Sequence, residues 1–154
     1  MAPKVVVAET VELDTSLEQA WRFVSDFQTF PDWFTLHEGF PAGPPPTIDE
    51  VRPGTVVAEK IKVMGIPADV EWTVVEWSPP HVVAIDGKGP MGTTMGIRAL
   101  VERSESDGTR FTHESSFSGA AITPMLPALE KEARKAAAES LEKVRGLLGE
   151  GAPA

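Results

Sequence analysis

The chain ends in one long amphipathic helix that follows an extended stretch of strand and turn patterns. Apolar residues recur at helical spacing over residues 124–148, and the charged residues lie mostly on the other side. A helix of this kind must bury its apolar stripe, and the face of the preceding sheet is the surface available to it. A sheet wrapped around a helix tends to leave a cavity between them, so the order of elements predicts a pocket for an apolar ligand. The stripe consists of Leu126, Leu129, Ala133, Ala136, Ala137, Leu141, Val144 and Leu148.

The start of the chain predicts one strand and two short helices. Residues 4–14 alternate in polarity and are rich in β-branched side chains, which is typical of a strand. Ser16 can cap a helix that ends at Asp26, and residues 27–34 predict a second, aromatic-rich helix interrupted by Pro31.

The middle of the chain predicts an antiparallel sheet, because turn signals recur regularly with no helical pattern between them. Residues 87–92 match the phosphate-binding pattern G-x-G-x-x-G, but a strand follows them where a dinucleotide site needs a helix. We therefore interpret this stretch as a hairpin turn, and Met64 with Gly65 as another. The expected strands are residues 36–40, 55–63, 66–77, 81–86, 91–103 and 109–119.

Composition excludes several classes of function. There are 14 Lys and Arg residues against 23 Asp and Glu residues, a formal net charge of -9, which disfavours binding to nucleic acid. Cysteine is absent, so disulfides and thiolate chemistry are excluded. The chain has no apolar run long enough for a signal peptide or a membrane span, which predicts a cytoplasmic protein without membrane insertion.

Several segments resemble one superfamily. They are SLEQAW at residues 16–21, WFTLH at 33–37, GTVV at 54–57, EWTVVEWSPP at 71–80 and DGKG at 86–89. Together with the order of elements, they resemble the START-like superfamily, which includes polyketide cyclases and the group labelled SRPBCC. The Trp-x-x-x-His and Asp-Gly-x-Gly elements look most similar to an actinobacterial subgroup described as toxins of type II toxin–antitoxin systems.

The resemblance implies an α+β helix-grip fold. In that fold an antiparallel sheet of about seven strands curves around a long C-terminal helix, with two short helices after the first strand. It further implies a single START-like domain over residues 1–149, a flexible tail at residues 150–154, and a hydrophobic cavity between helix and sheet. It implies no shared catalytic machinery, because superfamily members differ in what lines the cavity.

Strand alternation places several large side chains on one face of the sheet. Trp72 shares a face with Val70 and Val74, and Met95 shares a face of another strand with Met91 and Ile97. We expect the ligand to lie between these sheet residues and the start of the long helix, with the aromatic second helix near the mouth of the cavity. The predicted ligand-binding residues are Trp33, His37, Trp72, Met95, His113, Phe117, Met125, Leu126 and Leu129.

The three histidines do not form a metal-binding pattern. His37, His81 and His113 have no helical i,i+4 spacing, and none has a carboxylate at a ligand-like spacing, so we expect no metal and no cofactor. His37 and His113 are candidates to orient a polar group of a ligand or to act as acid or base. Packing in the core or at the surface is the alternative interpretation of both.

Three functions stay open at this point. The first is binding of a hydrophobic small molecule, which is a lipid, a polyketide-like compound or an aromatic compound. The second is an enzyme of the polyketide cyclase/dehydratase kind, with His37 or His113 as general acid or base. The third, implied by the resemblance, is a growth-inhibiting toxin that acts by sequestering a ligand and has an antitoxin protein as partner.

Overall fold

The computed structural model describes residues 4–105 and 107–149, so the predicted tail at residues 150–154 lies outside the described residues. In this part of the chain seven strands form one antiparallel sheet with the order β1-β7-β6-β5-β4-β3-β2. The strands are β1 (Lys4–Leu13), β2 (His37–Gly39), β3 (Val56–Val63), β4 (Ile66–Ser78), β5 (Val82–Lys88), β6 (Thr94–Arg103) and β7 (Thr109–Ser118). The helices are α1 (Leu17–Val24), α2 (Phe30–Trp33) and α3 (Leu126–Leu148). The predicted α+β helix-grip fold is confirmed.

The first two strands lie at opposite edges of the sheet. The segment that carries α1 and α2 crosses from the β1 edge to the β2 edge, and the remaining strands return to β1 as successive antiparallel neighbours. Along β7 every second residue from Thr109 to Phe117 is buried, as expected for a strand with one face on the core. The inner face of the sheet therefore carries buried side chains towards the helices, and on β7 these include the polar Thr109, His113 and Ser115.

The aromatic segment after α1 forms two short elements rather than one helix. A 3₁₀ turn at Phe27–Thr29 begins at Asp26, whose side chain accepts a hydrogen bond from the backbone of Gln28 at 2.9 Å. α2 follows, and Pro31 lies in its first turn. Proline is tolerated there, because the first backbone N–H groups of a helix have no partner within it. The prediction of one helix interrupted by Pro31 is therefore wrong.

Two boundaries differ from their predictions because 3₁₀ turns precede the elements concerned. The strand expected from residue 91 begins at Thr94, and Met91 lies in a turn with a φ of 59° and 83% of its surface exposed. The last helix begins at Leu126 rather than at residue 124. The stretch over residues 87–92 connects β5 to β6, so its interpretation as a hairpin turn is confirmed.

The long helix α3 lies across the inner face of the sheet without packing equally on all of it. It contacts β1 extensively, and β3 and β7 only lightly. Within the described residues, no helix is long and apolar enough to cross a membrane. The uneven contact of α3 leaves space between its middle and the centre of the sheet.

Candidate functional site

A small cavity lies between the inner face of the sheet and the middle of α3. Its volume is about 20 Å³, which is enough for one water molecule. Most of its lining is apolar, and the polar side chains among its lining residues belong to one histidine and two serines. The lining residues are Phe34, Leu36, Ile61, Trp72, Met95, Gly96, Ile97, His113, Ser115, Phe117, Ala133, Ala136, Ala137 and Ser140.

The sheet side of the cavity contains four of the predicted ligand-binding residues. They are Trp72 on β4, Met95 on β6, and His113 and Phe117 on β7. They come together because the antiparallel register sets Met95 directly opposite Phe117, and alternation keeps all of these positions on the inner face.

The helix side of the cavity differs from its prediction. It is formed by Ala133, Ala136, Ala137 and Ser140, which recur at the spacing of one helix face. The predicted residues lie nearer the start of the helix and do not line the cavity, because the space lies over the middle of α3. Of these, Leu129 is buried in the core, Leu126 is partly buried, and Met125 precedes the helix with 41% of its surface exposed.

A glycine makes room for the indole ring of Trp72. Gly87 lies opposite Trp72 in the pairing of β4 with β5. A Cβ atom added to Gly87 would lie 2.7 Å from two ring carbons of Trp72 and 2.7 Å from a methyl group of Val70. The ring therefore lies against the backbone of β5, and a side chain at position 87 would displace it.

His113 is the most unusual group in the lining. It is 2% exposed, and neither ring nitrogen has a hydrogen-bond partner among the described residues. The rings of Trp33, Phe34 and Phe111 surround it at centroid distances of 5.9, 5.8 and 6.4 Å. Desolvation in these apolar surroundings lowers the pKa of His113 to about 4. The imidazole is therefore neutral at neutral pH.

The ring of Trp33 packs against that of His113 and does not lie at a mouth of the cavity. It is buried, it does not line the cavity, and its Nε1 donates to Thr29 Oγ1 at 2.9 Å. The predicted placement of Trp33 near the mouth is wrong, because α2 packs its aromatic side chains into the core instead of leaving them at the edge of the sheet.

A buried hydrogen-bonded cluster lies beside the cavity. Glu59 on β3 is fully buried, and it is hydrogen-bonded to Nδ1 of His37 at 2.6 Å and to Nε1 of Trp72 at 2.8 Å. Burial raises the pKa of Glu59, and the hydrogen bonds from His37 and Trp72 act in the opposite direction. His37 does not line the cavity, but it is coupled to its lining through the Glu59 carboxylate and Trp72.

Sequence spacing did not predict a carboxylate partner for any histidine, and the structure shows one for His37. β2 pairs with β3, which brings His37 next to Glu59 although they are 22 positions apart in sequence. The sequence held a signal for this contact, because Glu59 falls between Val57 and Ile61 on the inward side of an alternating strand. A charged residue at an inward strand position is rarely buried without a partner.

A second polar contact joins α3 to the segment between α2 and β2. Ser140 accepts a hydrogen bond from the backbone N–H of Thr35 at 2.9 Å, and its hydroxyl donates to Thr35 Oγ1 at 3.0 Å. Ser140 lies on the inner face of the helix among alanines. This contact fixes the helix beside the residues Phe34 and Leu36 of the lining.

The described residues contain no group of three or more His, Asp or Glu side chains placed to hold a metal ion. Among the lining residues, the polar groups available to bind a ligand are the neutral side chains of His113 and Ser115, because Ser140 is already bonded to Thr35. This arrangement suits an apolar molecule that carries few polar atoms.

Comparison with known proteins agrees with the fold. The family model described as "Polyketide cyclase / dehydrase and lipid transport" matches residues 4–148. The aromatase/cyclase Zhui from Streptomyces sp. R1128 has a similar structure, with a TM-score of 0.73 and 17% identity over 99% of this chain and 98% of that one. A START superfamily protein from Mycobacterium smegmatis has a TM-score of 0.70 and 22% identity over 93% of this chain and 98% of that one.

Two relatives from Mycobacterium tuberculosis are also similar in sequence. An uncharacterized protein, Rv1546, is 28% identical over 141 residues, which cover 91% of this chain and 96% of that protein. A protein named Toxin Rv0910 is 28% identical over 96 residues, which cover 62% of this chain and 65% of that protein. The resemblance drawn from the sequence is confirmed by these comparisons.

Proposed function

The chain belongs to the polyketide cyclase/dehydrase and lipid transport family, and from this premise we propose that it binds a hydrophobic small molecule between the sheet and α3. The ligand is a lipid, a polyketide-like compound or an aromatic compound. One observation carries the proposal: an apolar cavity that contains a buried histidine without a hydrogen-bond partner among the described residues. A buried polar group of this kind destabilises a protein unless something bonds to it.

The helix side of the cavity supports the same proposal. Alanines stand at three positions of α3 that face the centre of the sheet, where larger apolar side chains would fill the space and add stability. Because the cavity has room for about one water molecule, a larger ligand enters only when α3 moves away from the sheet. The light contact of α3 with β3 and β7 makes such a movement less costly than a separation from β1.

Titration with the neutral fluorophore Nile red tests this proposal. The variant Ala136→Val adds two methyl groups to the helix side of the cavity, and the matched control Ala138→Val makes the same change at an exposed position of α3. We expect Ala136→Val to weaken Nile red binding roughly tenfold, the effect of about 1.4 kcal/mol, and the control to bind like the wild type. Equal affinities for all three proteins would contradict the proposal.

An acid–base enzyme of the cyclase kind is the second candidate, and the contact between His37 and Glu59 favours it. A carboxylate that holds a histidine in one orientation is a common arrangement for general acid–base catalysis. Since His37 does not line the cavity, this role requires the bound poly-ketone to extend to His37. His37→Gln and Glu59→Gln would then each slow its turnover while Nile red still binds. Unchanged turnover in both variants would rule out this role for the pair.

The name of Toxin Rv0910 supports the third candidate, a growth-inhibiting toxin with an antitoxin partner. We infer that such a toxin would act by sequestering its ligand in the cytoplasm. Induced expression would then arrest growth, and expression of Ala136→Val at the same level would not. Normal growth with the wild-type protein would exclude toxicity in that host.

A further inference from the structure

We propose that the ligand buries an uncharged polar group, a hydroxyl or a carbonyl, against the imidazole of His113, and that a carboxylate is excluded from this position. This inference rests on the proposed binding function and specifies the chemical class of the ligand. It also makes His113 a determinant of specificity among apolar molecules of similar shape.

The surroundings of His113 leave its ring nitrogens available for hydrogen bonds to a ligand. Three aromatic side chains pack around the ring, and the one polar atom they contribute, Nε1 of Trp33, is already bonded to Thr29. Neither nitrogen of His113 is bonded to another described residue, and the ring lines the cavity. A ligand atom in the cavity can therefore form hydrogen bonds that the described residues do not supply.

The lack of charged residues in the lining determines which polar group of a ligand can be buried there. None of the described residues that line it is a lysine, an arginine, an aspartate or a glutamate. A carboxylate buried here would lose its hydration without gaining a cation, which is strongly unfavourable. Protonation of His113 could provide that cation, but the same apolar surroundings that lower the pKa of His113 to about 4 oppose it.

A neutral imidazole has one donor and one acceptor nitrogen, so it can bond to either a hydroxyl or a carbonyl. Ser115 occupies the next inward position of β7 and also lines the cavity, which places a hydroxyl on the same strand face. The polar part of the site is therefore neutral throughout, and it matches a neutral polar atom on an otherwise apolar molecule.

Three probes of one shape test the inference: naphthol, methylnaphthalene and naphthoate, each titrated near neutral pH into the purified full-length protein. We expect naphthol to bind about tenfold more tightly than methylnaphthalene, because it satisfies a buried polar group. Naphthoate should bind more weakly than both. In His113→Phe, which keeps a ring of similar size, the preference for naphthol over methylnaphthalene should disappear.

The matched control is His81→Phe, the same substitution at a histidine that does not line the cavity and that bonds to the backbone oxygen of Val101. This variant should keep the preference for naphthol. Equal binding of naphthol and methylnaphthalene to the wild type would overturn the inference and leave the binding function standing. Tightest binding of naphthoate would also overturn it. Failure of all three probes to bind, together with failure of Nile red, would overturn both proposals.

Discussion

The buried carboxylate of Glu59 accepts a hydrogen bond from Nε1 of Trp72 at 2.8 Å, across the neighbouring strands β3 and β4. The same carboxylate is bonded to His37 on β2 at 2.6 Å. One side chain therefore joins the indole ring that lines the cavity to a histidine at the edge of the sheet. The contact orients Trp72, whose ring lies over Gly87.

Replacement of Glu59 by glutamine should change how stability depends on pH. Burial raises the pKa of Glu59 in the folded state above the ordinary value of 4.5. The folded protein therefore binds the proton more tightly than the unfolded chain does, and this contribution is present at low pH and is lost as the pH rises through the raised pKa. We expect the free energy of unfolding of Glu59→Gln, relative to the wild type, to increase as the pH rises above 4.5.

Urea unfolding of both proteins over a series of pH values measures this difference. The matched control is Glu71→Gln, at an exposed position of β4. A difference between Glu59→Gln and the wild type that stays constant with pH would show that the buried carboxylate does not titrate as proposed.

The free energy of unfolding of the wild type should fall in acid because of His113, and the variant His113→Phe should not show this fall. The folded pKa of His113 is about 4, against an ordinary value of 6.5. The neutral ring therefore contributes stability that is fully present above 6.5 and is lost as the pH falls towards 4. The wild type should lose about 3 kcal/mol over this range relative to His113→Phe. The same acid dependence in both proteins, measured by urea unfolding, would contradict the burial of a neutral histidine.

Replacement of Gly87 by alanine should displace the ring of Trp72. The new Cβ would lie 2.7 Å from two carbons of that ring, so the ring or the backbone must shift. Overpacking of this kind destabilises a protein by about 1–3 kcal/mol. The control Gly39→Ala has no atom within 4 Å of the added carbon and should cost little. Thermal unfolding compares the two variants, and an equal midpoint for both would show that Trp72 is not held against Gly87.

The sheet side of the cavity was predictable because alternation is a local pattern. Once residues 66–77 and 109–119 are strands, the inward side of each follows from a period of two, and Trp72 and Phe117 are assigned to the same face. The order of elements follows from the same local patterns, and the need of the long helix to bury its apolar stripe placed it against that face.

The helix side was not predictable from periodicity. A period of 3.6 residues identifies the stripe of α3, but it does not tell which part of the stripe lies over the centre of the sheet. That position depends on the crossing of α3 over β1, a long-range contact. The predicted leucines lie on this stripe near the start of the helix, whereas the cavity exists where the residues are small, at Ala133, Ala136 and Ala137.

The contact between His37 and Glu59 depends on a pairing of strands that no local pattern specifies. β2 has three residues, and its register with β3 shifts between His37 and Gly39. The inward position of Glu59 was visible in the sequence, but its partner was not.

The most direct test of a binding cavity under α3 is solution NMR of the protein saturated with naphthol. We expect proton NOEs from the bound ring to the methyl groups of Ala136, Ala137 and Ile97, which line the cavity from its two sides. The same spectra should show no NOE to Ala138 on the exposed face of the helix. Contacts restricted to exposed residues of the sheet, such as Glu71 and Val75, would contradict the account.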